Sequence, residues 1–419
     1  MKQRSFHGTS TSPDRAYLRA MSSSQAAGGK RPPASAAGRG SKKNKLKFVN
    51  VGLGIDMPFL ILVLVLLGIG ILMMFSASYP VAYAEEGDSY FYLKKQLFFA
   101  LFGVAAMIGL SFVNYHVYYK AAKIILGISF VILVIVRFMP SDTGVHRWIY
   151  LGPFTFQASE VSKFCVIVFL AFIGAKNANK IQYIRHGFGP GFAVLVVTAV
   201  LLLLEPHYSC IVIMFLIVLV MMYLSGVPGK QIGVFIGVIG VLIIIAWSTG
   251  ILGYAMKRLD GWGLALEYID EATWQATWQT RNSMYAIGSG GLWGLGLGNS
   301  RQKYLYLPEP QNDFVFAVVC EELGFIGAIA ILILFGLLVW RGIYLAQRSQ
   351  DIFGKLLGCG LSAQIGLQVI LNILVITDWL PNTGISLPFF SYGGTSLVML
   401  LAQMGVVLSV SRTSRMEKT

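Results

Sequence analysis

Ten stretches of the chain are almost wholly apolar, and polar segments of very unequal length separate them. They cover 58–76, 96–113, 121–138, 160–175, 190–205, 209–225, 231–248, 314–340, 356–376 and 387–411. A perpendicular membrane span needs roughly 20 apolar residues, and flanking Lys and Arg can snorkel to extend the shorter runs. Runs five and six are parted only by a tight turn at Pro206. The pattern predicts an all-α, polytopic membrane protein of about ten transmembrane helices. One large loop, 249–313, joins the seventh to the eighth.

Composition supports lipid as the solvent. The chain is 56% hydrophobic and 12% charged, with a mean hydropathy of +0.68, whereas soluble domains carry about a quarter charged residues. The net charge of +14 could suggest nucleic acid, but its distribution argues against that partner. Eleven of the 33 Lys and Arg lie in the first 47 residues, and many of the rest sit between apolar runs. With the amino-terminal tail inside, the inner segments hold 23 basic residues and the outer segments nine. This asymmetry predicts cytoplasmic termini at both ends. Residues 1–50 are read as a disordered basic tail with too few large apolar groups to offset ordering. The membrane domain spans 51–412, and 413–419 is a short cytoplasmic tail. Membrane lipids are expected partners of the basic tail. No cleavable leader is expected, because the first apolar run starts near Pro58. Cys165, Cys210, Cys320 and Cys359 lie in apolar stretches without metal-like spacing, as small packing residues do.

Four polar constellations punctuate this pattern. The first runs from Arg147 through Gln157, Ser159, Glu160 and Lys163 at the outer start of the fourth run. Glu160 and Lys163 share a helix face, and Ser159 is placed to cap that helix. Arg147 and Lys163 would alternatively contact a phosphorylated headgroup. Near 262–278, acids mixed with Trp274 and Trp278 suit an amphipathic interfacial helix. The second constellation, Trp278 to Ser300, includes Gln279 and Ser283 and has six glycines within 288–298. Such a run is either flexible backbone or a set of N–H groups able to cradle an anion. The third runs from Lys303 to Phe314, where Pro308 and Pro310 stiffen the chain around Glu309 just before Asp313. Asp313 reads equally as a helix cap or as a general base. The fourth is the turn 378–396, which contains Ser391; irregular backbone at membrane depth survives only inside protein or along a cavity. Glu321 and Glu322 need polar partners in the eighth run, and Gln368 and Asn372 are the candidates.

In this order, the four blocks resemble the SEDS family of cell-wall polymerases over nearly the whole chain after residue 50. The most specific stretches are Gly296–Lys303, Leu307–Phe314, Glu321–Gly324 and Pro388–Ser396. The glycine-asparagine-serine run before Lys303 is more similar to the FtsW/SpoVE branch than to RodA. The resemblance implies an inverting peptidoglycan glycosyltransferase that polymerises lipid II on the outer face of the bacterial cytoplasmic membrane, at the division septum or in sporulation. It implies Asp313 as the catalytic carboxylate, with Arg147, Gln157, Ser159, Glu160, Lys163 and Lys303 at the family's polar outer positions. Gln279, Ser283, Glu309 and Ser391 complete the expected substrate contacts. The chain reads Glu205-Pro206-His207 where the family often has Glu-Pro-Asp, so Glu205 or His207 would stand in for a second acid. The departing pyrophosphate calls for cations, supplied by side chains or by a divalent ion such as Mg or Mn. A class B penicillin-binding protein and other divisome proteins are the implied partners. A lipid flippase or a non-enzymatic division scaffold are the alternative readings.

Overall fold

The structure is a computed structural model; it describes residues 54–139, 148–151, 154–205, 207–250, 253, 259 and 261–416. Arg147 lies outside the described residues.

The ten apolar runs form ten long helices: α1 (Met57–Glu86), α2 (Phe91–Phe112), α3 (His116–Val136), α4 (Ala158–Lys176), α5 (Phe188–Leu204), α6 (Tyr208–Leu224), α7 (Gly229–Ser248), α10 (Val315–Gln347), α11 (Ile352–Ile376) and α12 (Gly394–Met416). Two short helices, α8 (Glu271–Ala276) and α9 (Trp278–Ser289), lie in the 249–313 connection. Eight of the ten are long and apolar enough to cross a membrane, while α5 and α6 have 17 residues each. A small antiparallel hairpin, β1 (Trp148–Leu151) with β2 (Phe154–Gln157), leads directly into α4 in the register Trp148↔Gln157. It is an addition to the predicted all-α plan.

Local chemistry sets the helix ends. Asp56 caps α1 by accepting from the Phe59 N–H at 3.1 Å, with Pro58 in the first turn, where its missing N–H costs nothing. Gly87, at φ 69°, ends the same helix in the left-handed conformation. Asp351 caps α11 through the Gly354 N–H at 3.0 Å. The expected cap of α4 differs. Gln157 holds that position, and Ser159 is already a buried residue of the first turn.

Helices α4, α11 and α12 are the most enclosed, and α7 is exposed almost all round, with Phe235 its buried contact. Phe235 is stacked on Phe215 at 5.9 Å and meets Phe188 edge-on. One ion pair and one buried hydrogen-bonded contact join α1 to α10 near opposite ends. Arg341 grips Asp56 through two bonds of 2.8 and 3.1 Å. Toward the other end, the Glu322 carboxylate accepts from Ser76 Oγ at 2.7 and 2.8 Å. The two levels are 19 or 20 residues apart, or about 30 Å of helix, which matches the hydrocarbon thickness of a bilayer.

Candidate active site

Asp313 is the residue before the cap of α10. Phe314 occupies the cap position itself. Its backbone is held from below: Asn372 Nδ2 donates to the Asp313 carbonyl at 2.8 Å and to the Ile385 carbonyl at 2.7 Å. The side chain is half-buried. Gly384, at φ 68°, lies so close that a methyl group there would come within 2.9 Å of Asp313 Oδ2. Only glycine combines that backbone with that approach.

The approach to Asp313 is rigid, as its prolines suggest. Glu309, exposed and at φ 43°, accepts from Asn312 Nδ2 at 2.5 Å. Gln279 Nε2 donates to the Pro308 carbonyl at 3.3 Å, and Gln279 Oε1 accepts from Asn382 at 2.7 Å. Gln279 therefore ties α9, the proline segment and the α11–α12 connection together beside the carboxylate.

That connection is the spine of the site. Asn382 reaches Gln279, the Thr383 carbonyl accepts from Ser209 at the start of α6, and Gly384 faces Asp313. Two residues on, Ser386 lines a recess of about 340 Å³, mouth included, together with Glu160, Gln368, Ser391 and Ser396. Ser391 Oγ accepts from the Leu387 N–H at 2.7 Å, closing a turn whose Phe389 and Phe390 are buried. This irregular segment is enclosed by protein, as its depth demands. On the recess wall, Lys163 donates to Glu160 at 2.7 Å, and the pair is 2% and 13% exposed. Cys210, on the first turn of α6, lies within electrostatic reach of Lys163, Glu160 and Glu205. Glu205 and His207 are both buried at the α5–α6 turn. Gln157 stays half-buried at the end of β2.

Several expectations need correction. Lys303 does not face the mouth: it is fully buried, and its ammonium donates to Glu322 at 2.8 Å, the Gly298 carbonyl at 2.7 Å and Ser76 at 3.2 Å. A charge so deep needs a full set of acceptors, and these are taken. Ser283 is buried too, donating to the Ile376 carbonyl at 2.9 Å. Gln368 and Asn372 are not the partners of Glu321 and Glu322. Glu321 accepts instead from Ser300 Oγ at 2.5 Å and the Arg301 N–H at 2.9 Å. Trp274 is not a free interfacial anchor, since the Arg281 guanidinium stacks 3.3 Å from its ring centre.

The glycine-rich run neither swings freely nor cradles an anion. Helix α10 breaks at Gly324 (φ 67°, ψ −173°), and the run fills the break. The Leu295 and Gly296 N–H groups donate to the Glu321 and Glu322 carbonyls at 2.9 and 3.0 Å. The Phe325 and Ile326 N–H groups donate back to the Gly291 and Leu292 carbonyls at 2.9 and 3.2 Å. A side chain on Gly324 would collide with Gly294 N at 2.2 Å. Sequence reasoning missed this exchange; the glycine in Glu321-Glu322-Leu323-Gly324 was its one local sign.

Among the described residues, no group of three or more His, Cys, Asp or Glu side chains gathers as a metal would require.

Comparison with known proteins places this geometry. A family model described as cell cycle protein, FtsW, RodA and SpoVE, matches residues 57–416. Stage V sporulation protein E of Bacillus subtilis (strain 168) is 38% identical over 356 residues, covering 82% of this chain and 93% of that protein. The "Probable peptidoglycan glycosyltransferase FtsW" of Geobacter sp. (strain M18) is 36% identical over 353 residues, covering 82% and 93%. The crystal structure of RodA from Thermus thermophilus superposes with a TM-score of 0.62 at 26% identity, covering 86% of this chain and 97% of that one. A chain of a peptidoglycan synthase complex that coordinates polymerization and crosslinking shares the fold, with a TM-score of 0.69 at 24% identity over 87% and 99%.

Proposed function

Because the chain belongs to the FtsW, RodA and SpoVE family of cell cycle proteins, we propose that it is a peptidoglycan glycosyltransferase polymerising lipid II, with Asp313 as its general base. The observation that carries the reading is a half-buried carboxylate held on a ledge where α9, α11, the proline segment and the α11–α12 connection converge. Measured along α10, Asp313 stands eight residues, or about 12 Å, beyond Glu321. If the hydrocarbon ends near Glu321, the headgroup layer occupies about the next 5–8 Å. The carboxylate then meets sugars carried just above a lipid pyrophosphate.

The acceptor sugar hydroxyl attacks the anomeric carbon of the donor, and undecaprenyl pyrophosphate leaves from the opposite face. An α-linked donor giving a β-linked product requires this single displacement. Asp313 takes the hydroxyl proton late, when bonding to an oxocarbenium-like carbon has acidified it. Such bases contribute about 10²–10⁴-fold. Lys163, held by Glu160 at the recess, and Arg147 supply positive charge toward the departing pyrophosphate. Gln279 and Ser391 orient the sugars, while Glu309 stiffens the ledge. Glu205 and His207, buried at the α5–α6 turn just before Ser209, stand in for the family's second acid. In this reading both termini are cytoplasmic, the 249–313 connection is extracytoplasmic, and a class B penicillin-binding protein cross-links the product at the septum.

Proteoliposomes carrying purified protein and labelled lipid II test the assignment. Glycan ladders support the polymerase. Leaflet exchange without ladders would make it a flippase, and neither product, with the transpeptidase present, would leave a scaffold.

A further inference from the structure

The glycine-rich segment that fills the break in α10 has two properties that rarely coincide in an aqueous loop. Its large side chains point outward: Leu292, Trp293 and Leu297 are 63%, 81% and 66% exposed. The backbone groups it turns toward α10, meanwhile, are bonded within the protein. The Gly294, Leu295 and Gly296 N–H groups donate to the carbonyls of Gly290, Glu321 and Glu322, and the Gly291 and Leu292 carbonyls accept from Phe325 and Ile326. Internal satisfaction of the backbone is what lipid requires of any segment it touches.

The apolar surface does not stop at the segment. Hydrogen bonding sets it directly beside Phe325 and Ile326, themselves exposed, and the stripe continues down α10 through Ile329, Ile333 and Leu337 to Trp340. Trp340 adjoins the Arg341–Asp56 pair that marks one edge of the bundle. Twenty residues up the helix, about 30 Å, lies Glu321, whose carbonyl the segment caps. That length is one hydrocarbon thickness.

We propose that residues 290–297 form a wedge buried in the lipid at the opposite edge of the bilayer, an interaction surface whose partner is the acyl chain and headgroup boundary. The wedge extends the lipid-facing stripe of α10, with Trp293 as its interfacial aromatic. It anchors the ledge that ends at Asp313, because Ser300 and Arg301, three residues on, are bonded to the same helix by Glu321. The proposal does not depend on the reaction catalysed.

A nitroxide at position 293 (Trp293→Cys, with Cys165, Cys210, Cys320 and Cys359 replaced by Ala) in phosphatidylglycerol–phosphatidylcholine nanodiscs holding one protein molecule tests it. Collisions with oxygen should exceed those with a soluble nickel chelate, as for a label at Ile333→Cys and unlike one at Glu309→Cys. A ratio like that at 309 would overturn the proposal, and so would low access to both reagents, which would mean that protein covers the segment. Should the cysteine-free variant misfold, brominated lipids can quench the native tryptophans. Trp293→Leu should then remove part of the quenchable emission, and an unchanged quenchable fraction would contradict the wedge.

Discussion

Lys303 and Asp313 are ten residues apart, and both are charged residues close to a helix mouth, yet the fold uses them in opposite ways. Lys303 is sealed against Glu322 and Ser76. Asp313 is left half-buried on the ledge. Removing one partner of a buried pair strands the other charge, at a cost of about 3–5 kcal/mol. Glu322→Gln and Lys303→Met should therefore each lower the unfolding temperature strongly in nanodiscs. The double variant Lys303→Met/Glu322→Gln should lose much less than the sum. Additive losses would show that the pair is not coupled. From sequence, the family resemblance places Lys303 among the polar outer positions. Its acceptor, Glu322, lies nineteen residues on and becomes a neighbour only because the chain folds back at a break that hydropathy does not register. At Asp313 the local surroundings, two prolines, a glutamate and an apolar run just beyond, leave cap and base even, and the family resemblance is what favours the base.

Among the elements, the ten apolar runs became ten helices, most ends displaced by a few residues and the end of α1 by ten, from 76 to Glu86. What stayed hidden was short or interior. The hairpin before α4 has four residues in each strand, too few for alternation to stand out between two spans. The break at Gly324 sits inside an unbroken apolar run, and its cause, the packing of 290–297 into it, is a tertiary contact. Gly384 offers the cleanest test at this scale. Gly384→Ala must place a β-carbon on a backbone with φ 68° and 2.9 Å from Asp313 Oδ2. A strained residue of this kind costs about 1–3 kcal/mol. Polymerisation should fall at least tenfold in kcat with the membrane domain still folded. If activity is normal, the close approach has no bearing on the base. Asn372→Ala, which frees the Asp313 and Ile385 carbonyls, should lower kcat and cost about 1–3 kcal/mol, measured by polymerisation rate and thermal unfolding together.

At the scale of the molecule, positive charge predicts the orientation and the fold supplies the reason it matters. All the groups gathered by the 382–391 segment lie at the end of the bundle that carries the 249–313 connection. The proposed function requires that end to face the compartment where glycan is made. A cysteine at the exposed Glu309 position should react with a membrane-impermeant maleimide in intact cells, whereas one at Lys355 should react only after lysis; the reverse pattern would put the ledge on the wrong side. How deeply each helix is enclosed, α7 bare and α11 surrounded, was not readable from hydropathy, because lipid and protein interior are equally apolar solvents. The reaction itself decides most. Steady-state polymerisation of labelled lipid II in proteoliposomes, wild type beside Asp313→Ala at matched insertion and thermal stability, is expected to fall by at least about 10²-fold, the share a general base supplies. Glycan strands made by the Asp313→Ala protein at the wild-type rate would contradict the account.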